Sequence, residues 1–363
     1  MLVFIMNKQY RKTYVEVNLT NLLSNYNYVQ DMNKSIKIIP VVKANAYGHG
    51  SIKVVEFLRE NGVKFFAVSL LEEALEIRRI YSDISILIMG VLDYEGFEVC
   101  SEFNLTPTVS NHDQILDLLK MKSKLNIHVK IDTGMNRLGF KDFFEFENEF
   151  NLINQNKNIH LEGVYTHFST ADSDDIYLHG QLTKFNEFIV KYGDSFEYIH
   201  VSNSSSSIKY DNSIDYTTHA RLGISLYGLS LDEYNENLKN TFKLVTKISE
   251  IKTIKSGEKV GYGATYTALK DEVIGILPIG YADGFIRANQ NGYVEINNKR
   301  YQIIGRICMD QMFIRIDESI SKEDKVILFG GLITIDEVAK RLNTINYEVI
   351  CQITSRVPKV YIK

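Results

Sequence analysis

IKIIPVVK (36–43) is the first of eight short apolar runs that recur between residues 36 and 228. The others are KFFAVS (64–69), ISILIMG (84–90), LTPTVS (105–110), LNIHVKI (125–131), IHLEGVYTHF (159–168), YIHVSNS (198–204) and THARLGISLYG (218–228). Helical patterns such as LLEEALEIRRI, HDQILDLLKM and LHGQLTKFNEFIVKY separate most of them; in the second, Ile115, Leu118 and Leu119 repeat at i, i+3, i+4. Near-continuous apolar strands alternate with helices where a parallel sheet is covered on both faces. Eight such units are the number that closes a (β/α)8 TIM-type barrel. An open doubly wound sheet shares the alternation and stays open as the other reading.

After about residue 240 the pattern changes. KLVTKISEIKTI, VIGILPI, GYVEINNKRYQIIGRI and MFIRI are β-rich, and Asn297-Asn298 suits a hairpin turn. One helix, TIDEVAKRLN, interrupts them. Thr334 caps it with Glu337 as the reciprocal partner, and Ile335, Val338 and Leu342 form its apolar stripe. At 363 residues the chain is too long for one ordinary core. The reading is an α/β barrel domain over 1–238 followed by a mostly-β domain over 239–363, with a strand near 14–18 free to pack with the second.

Formal net charge is -4 and there is no dense Lys/Arg run, which argues against a nucleic-acid partner. No apolar run approaches membrane-spanning length, and MLVFIM at the N-terminus is too short for the apolar region of a signal peptide. Cys100, Cys308 and Cys351 are far apart without CxxC spacing, and read as thiols of a reducing cytoplasm. These features place an enzyme-sized protein in the cytoplasm.

Active groups of a parallel barrel lie just past the C-terminal ends of its strands. There the sequence puts Lys43, then Lys130 with Asp132, Thr133, Gly134 and Arg137, then His167, then His200 with Asn203 and Ser204, then Arg221 with Gly223, Ile224 and Tyr227. Each has a plain structural explanation. A lysine after a strand is commonly a solvated strand end, and a histidine in an apolar strand a satisfied core residue. Arg221 is harder to explain that way, because a buried guanidinium needs partners. GYGAT (261–265) lacks the spacing of a dinucleotide fingerprint, and no GxSxG, Walker A or HExxH motif occurs. Asp172, Asp174, Asp175 and His179 fit no EF-hand or zinc spacing, so no metal is expected. Taken together, the residues suit an anionic cofactor held by a reactive lysine, since a lysine at a barrel mouth can form a Schiff base with an aldehyde. Ser204, Tyr47 and the amides of Gly223 and Ile224 suit its phosphate.

VVKANAYGHG (41–50) closely resembles the pyridoxal-phosphate attachment signature of the alanine racemase family. VKIDTGMNRLGF (129–140), YTHFSTAD (165–172), IHVSNSS (199–205), RLGISLYG (221–228), VGYGATYTA (260–268), GYADGFIR (280–287), GRICMDQ (305–311), NYE (346–348) and RVPKVY (356–361) resemble further family blocks in the family's order. The likeness covers the chain from about residue 13. It implies a (β/α)8 barrel followed by a C-terminal β domain, and a head-to-tail homodimer with shared active sites. The activity it implies is interconversion of L- and D-alanine, supplying D-alanine for peptidoglycan.

The resemblance also implies roles. Lys43 carries pyridoxal 5′-phosphate and serves as the base for the D isomer. Tyr262, lent by the partner subunit, is the base for the L isomer. A phenol is a poor base at neutral pH, so a supporting network is expected among His167, His200, Arg221, Arg287 and Asp310. Arg221 faces the pyridine nitrogen; Tyr47, Ser204, Gly223, Ile224 and Tyr347 bind the cofactor. Arg137 and the Met309 amide hold the substrate carboxylate, Tyr281 gates the entrance, and Lys130 matches a lysine that is carbamylated in many relatives. Asn136 departs from the pattern, standing where glycine is common. Three rivals remain. A racemase of serine or of broader range shares every block. A basic-amino-acid decarboxylase places an acidic residue where Arg221 stands. A non-catalytic pyridoxal-phosphate homeostasis protein lacks the C-terminal domain.

Overall fold

A computed structural model describes residues 10–141, 143–210, 214, 216–230 and 235–363; the N-terminal run MLVFIM lies outside them. The chain forms two compact units. One comprises Leu22–Ala46 and Gly50–Lys239; the other comprises the segment ending at Asn21, Tyr47–His49 and Asn240–Lys363.

The first unit is the expected barrel. After β1 (Tyr14–Asn18), which belongs to the other unit, come β2 (Lys37–Pro40), β3 (Phe65–Val68), β4 (Ser85–Ile88), β5 (Thr106–Val109), β6 (Leu125–Lys130), β7 (Ile159–Tyr165), β8 (Tyr198–His200) and β9 (His219–Leu222). They pair in parallel in the order β2-β9-β8-β7-β6-β5-β4-β3. The bridge Val41↔Ala67, with Val42 N donating to Ala67 O at 2.8 Å, joins the two ends, so the sheet is a barrel and not an open doubly wound sheet. Each of the eight apolar runs contains one of these strands. The strands are shorter than the runs: THARLGISLYG yields β9 and then a 3-10 turn over Ile224–Tyr227, and Ser204–Lys209 at the end of the seventh run is a helix capped by Asn203.

Barrel interiors are usually filled by branched apolar side chains. Here the register sets Thr108 beside His128, Lys130 beside Tyr165, and Tyr165 beside His200, and all five are buried. A polar interior of this kind is stable only if its groups satisfy one another. Thr108 Oγ1 and Tyr165 Oη, 2.9 Å apart, do so.

The second unit is built on a nine-stranded sheet. Its order is Glu250–Ile254, Glu272–Leu277, Met312–Ile316, Lys299–Ile304, Tyr293–Ile296, Lys325–Phe329, Phe242–Lys247, β1 and Lys359–Ile362. Every pairing is antiparallel except β1 with Lys359–Ile362. Asn297 and Asn298 both have positive φ, 51° and 60°, which makes the tight hairpin turn the sequence suggested. Two expectations change. A second helix, Asn346–Cys351, follows the expected Ile335–Leu342. Thr334 Oγ1 does accept from Glu337 N at 3.0 Å, but the Glu337 carboxylate pairs with Arg300 at 2.8 Å and leaves the reciprocal half of the capping box unmade.

Candidate active site

Lys43 stands directly after the closing bridge of the barrel. Beyond it the chain makes a left-handed turn: Ala44, Asn45, Ala46 and Tyr47 have φ between 51° and 53°. L-residues avoid this region, and four in succession need external support. The support is visible. Ala44 N donates to Glu73 Oε1 at 2.6 Å, and Ala46 N to Val42 O at 2.9 Å. Gly50 N donates to Asn45 O at 2.9 Å, while Asn45 Oδ1 accepts from Ser51 N at 2.8 Å. Backbone strain at this point fixes where the Lys43 side chain starts.

Around it the barrel mouth collects cations. Lys130, at the end of β6, is buried with its Nζ 5.8 Å from the centre of the Tyr165 ring. Burial, with Arg137, Arg221 and Lys43 nearby, pulls its pKa down to about 8 against the opposing pull of Asp132. Asp132 Oδ1 accepts from the amides of Gly134 and Asn136, both at 3.0 Å, which shapes the loop that carries Arg137. Asn136 has φ 57°, a conformation that glycine and asparagine tolerate best, so asparagine suits the position where the resemblance leads one to expect glycine.

Arg221 is buried at the end of β9, and its partners are neutral acceptors. NH1 donates to His200 Nδ1 at 2.6 Å and to His200 O at 3.0 Å. NH2 donates to Thr166 O (2.8 Å), Val201 O (3.1 Å) and His167 Nδ1 (3.2 Å). Its guanidinium lies 5.0 Å from the centre of the Tyr165 ring, and His200 stacks on the same ring at 4.7 Å. Burial lowers the Arg221 pKa to about 10. Burial, and then Arg221, hold both His167 and His200 well below the ordinary histidine range, so both are neutral. Ser204 Oγ accepts from Gly223 N at 2.9 Å, which ties the start of Ser204–Lys209 to the turn that carries Ile224.

The second unit holds the other candidates. The rings of Tyr47 and Tyr347 are 6.0 Å apart. Burial, with Tyr347 and Cys351 nearby, raises the Tyr47 pKa. Tyr262 sits on a 3-10 turn between two glycines of φ 71° and is 72% exposed. The Tyr281 and Met309 loops are locked together. Tyr281 N donates to Cys308 O and Ala282 N to Met309 O, both at 3.1 Å, and a Cβ on Gly280 would lie 2.2 Å from Cys308 O. Met309 is 53% exposed. Arg287 is exposed, and its charge acts on the Cys308 thiol. Asp310 is paired with Arg356 at 2.6 Å.

Residues 17–231 match the alanine racemase N-terminal domain, and residues 241–361 match the alanine racemase C-terminal domain. The chain belongs to the alanine racemase family. It is similar to the alanine racemase of Staphylococcus epidermidis, 38% identical over 98% of this chain and 96% of that one. The alanine racemase of Halalkalibacterium halodurans is 39% identical over the same shares of each chain. Among solved structures, an alanine racemase from Clostridium difficile 630 superposes with a TM-score of 0.91 at 37% identity, covering 98% of this chain and 97% of that one. The alanine racemase of Bacillus anthracis with bound L-Ala-P superposes with a TM-score of 0.92 at 32% identity, covering 98% and 96%.

Some residues that shape this candidate site carry little or no signal in the sequence. Glu73 takes the Ala44 amide. Gln181 donates to Thr133 Oγ1 (3.3 Å) and His167 O (3.2 Å) and accepts from Ser169 N (2.9 Å), joining the loops after β6 and β7. His128 bonds His200. Only His128 left a signal: it lies two residues before Lys130, on the same face of a strand. Among the described residues, no group of three or more His, Cys, Asp or Glu side chains is placed to hold a metal ion, and no helix is long and apolar enough to cross a membrane.

Proposed function

We propose that the chain interconverts L- and D-alanine with pyridoxal 5′-phosphate, using one base on each face of the substrate. The match of residues 241–361 carries this reading, because Tyr262, Tyr281, Met309 and Tyr347 all lie there and a carrier built on the barrel alone has none of them. The residues present suit the cofactor. Arg137, Arg221 and Lys43 act together on Lys130 against Asp132, and the acceptors around Arg221 are neutral, so an anionic group is favoured there. Lys43 would hold the cofactor covalently. Ser204, Tyr47, Tyr347 and the amides of Gly223 and Ile224 would hold its phosphate, and Arg221 would face its ring nitrogen.

When bound, the cofactor supplies the electron sink that makes the alanine Cα proton removable near neutral pH. Lys43 Nζ takes or returns that proton on the D face. The Tyr262 hydroxyl, lent by a second copy of the chain in a head-to-tail dimer, does so on the L face. Two bases give inversion, whereas one fixed base tends to return the proton to the face it left. Arg221, held in place by the neutral acceptors His167 and His200, and Arg287 supply the positive environment that lets a phenol act as a base, and Asp310 orders its own loop through Arg356. Arg137 and the Met309 amide hold the alanine carboxylate, and Tyr281 narrows the entrance to methyl size. A lysine neutral above about pH 8 is the form that adds CO2, which suits Lys130 as a carbamate that orients Arg137. Cytoplasmic supply of D-alanine for peptidoglycan is the context.

Chiral chromatography of the purified, cofactor-loaded protein with L-alanine and with L-serine tests this. Alanine is expected to reach equal amounts of both isomers with the higher kcat/KM. Faster turnover of serine would move the assignment to the rival substrate, and no turnover of either would overturn it.

A further inference from the structure

The buried chemistry of the barrel continues below its mouth. His128 is fully buried, with Phe65, Tyr198 and His200 around its ring, and no step above uses it. The backbone is built to seat it. Pairing of β6 with β7 slips between Ile127 and His128, so that Ile127 faces Leu161 and His128 faces Gly163. Glu162 is the extra residue, and a bulge of this kind re-aims a side chain. Gly163 leaves the space the ring occupies: a Cβ there would lie 2.5 Å from His128 Cε1 and 2.6 Å from Nε2. Glu162 Oε2 stands 3.4 Å from His128 Nε2. Its two oxygens are steadied by Asn126 Nδ2 on Oε1 at 3.0 Å and Thr106 Oγ1 on Oε2 at 3.2 Å.

We infer that Glu162 and His128 are positioning residues that set the tautomer of His200 and through it hold Arg221 in place. A guanidinium only donates. His200 Nδ1, 2.6 Å from Arg221 NH1, therefore accepts, and the single proton of a neutral His200 sits on Nε2. That Nε2 lies 2.9 Å from His128 Nδ1, which must accept in turn. The one proton of His128 is then on Nε2, turned toward the Glu162 carboxylate. The chain of donors runs one way because Arg221 cannot accept at one end and an ionised Glu162 cannot donate at the other. The last link is the loosest; at 3.4 Å it is an electrostatic contact without the alignment of a closed hydrogen bond. Burial lowers the pKa of His128 as it does that of His200, in keeping with two neutral rings.

This inference rests on the reading of Arg221 as the cofactor-facing residue, but its first test does not need turnover. Solid-state NMR of the purified enzyme with 15N-labelled histidine is expected to show the proton on Nε2 and a bare Nδ1 in both His128 and His200, with His128→Phe giving the assignment. A proton on Nδ1 of either overturns the inference. Second, His128→Phe keeps a ring against Gly163 but removes the acceptor. It is expected to lower kcat for alanine about tenfold, the order of one buried hydrogen bond, with KM unchanged. Glu162→Leu should act alike, and Glu162→Gln, which keeps an acceptor oxygen, should restore most of the rate. Full kcat in His128→Phe, or no rescue by Glu162→Gln, would also overturn it. Absence of racemisation in the unaltered enzyme would refute the proposed function instead, and the tautomers would still be read from the same spectra.

Discussion

Ala44→Gly should make the protein more stable. Ala44 is exposed, so its methyl contributes little burial, and its φ of 51° and ψ of 49° lie in the left-handed region. An L-residue there costs about 1–2 kcal/mol. Glycine removes that cost but adds about 0.4–1 kcal/mol of chain entropy to the unfolded state. The difference leaves a net gain of about 0.5–1 kcal/mol, and a thermal midpoint higher by roughly 1–2 °C at this chain length. Ala44→Val, with a β-branched side chain in the same conformation, should lose at least ~1 kcal/mol. Both are read by guanidinium unfolding followed by circular dichroism. Activity should move the other way, because a glycine lets Lys43 wander from the position the strained turn gives it, so Ala44→Gly is expected to lower kcat while raising the midpoint. Destabilisation by Ala44→Gly of 1 kcal/mol or more would refute the reasoning.

Gly163→Ala puts a methyl 2.5 Å from a His128 ring that Phe65, Tyr198 and His200 keep from retreating, and should cost about 1–3 kcal/mol in denaturant unfolding. The Lys130 pKa falls from 10.5 to about 8 in the folded chain. Between those values the unfolded state binds more protons, so stability should rise as pH climbs from about 8 toward the ordinary lysine value, at no more than ~1.4 kcal/mol per pH unit. In CO2-free buffer that rise should vanish in Lys130→Met. Tyr262→Phe should slow racemisation of L-alanine about 10²–10⁴-fold, while solvent exchange of the D-alanine Cα proton through Lys43 persists by NMR. Gln181→Leu leaves buried donors and acceptors of two loops unpaired, and should cost about 1–3 kcal/mol and raise KM for alanine.

The barrel was legible because short, largely apolar runs stand out between amphipathic helices even where single polar residues interrupt them. What followed the strands was harder to read. Ala44-Asn45-Ala46-Tyr47 contains no glycine, and nothing in its composition announces a left-handed turn; the Glu73 bond that supports it comes from a distant helix. Asn346–Cys351 is too short for a helical period to show. Thr334 was placed correctly as a cap, yet Arg300, remote in sequence, took the Glu337 carboxylate that a local reading assigned to the cap. The mouth residues Lys43, Lys130, His167, His200 and Arg221 could be read from their places after strands. Glu162 could not, because a bulge adds one residue without changing composition, and His128 was marked only by its place two residues before Lys130, where a histidine in an apolar strand looks like ordinary core. Gly163 was the overlooked sign, since a glycine inside a strand often marks close approach of another group.

The central claim is that different groups serve the two faces of alanine. L-alanine carrying deuterium at Cα, incubated in ordinary water and sampled within the first few per cent of conversion, tests it most directly by mass spectrometry of the separated D isomer. Two bases require D-alanine to carry a proton from solvent by way of Lys43, with the deuterium lost to Tyr262 on the opposite side. D-alanine that retained the original deuterium would mean that one group carried it from face to face, and the account would be wrong.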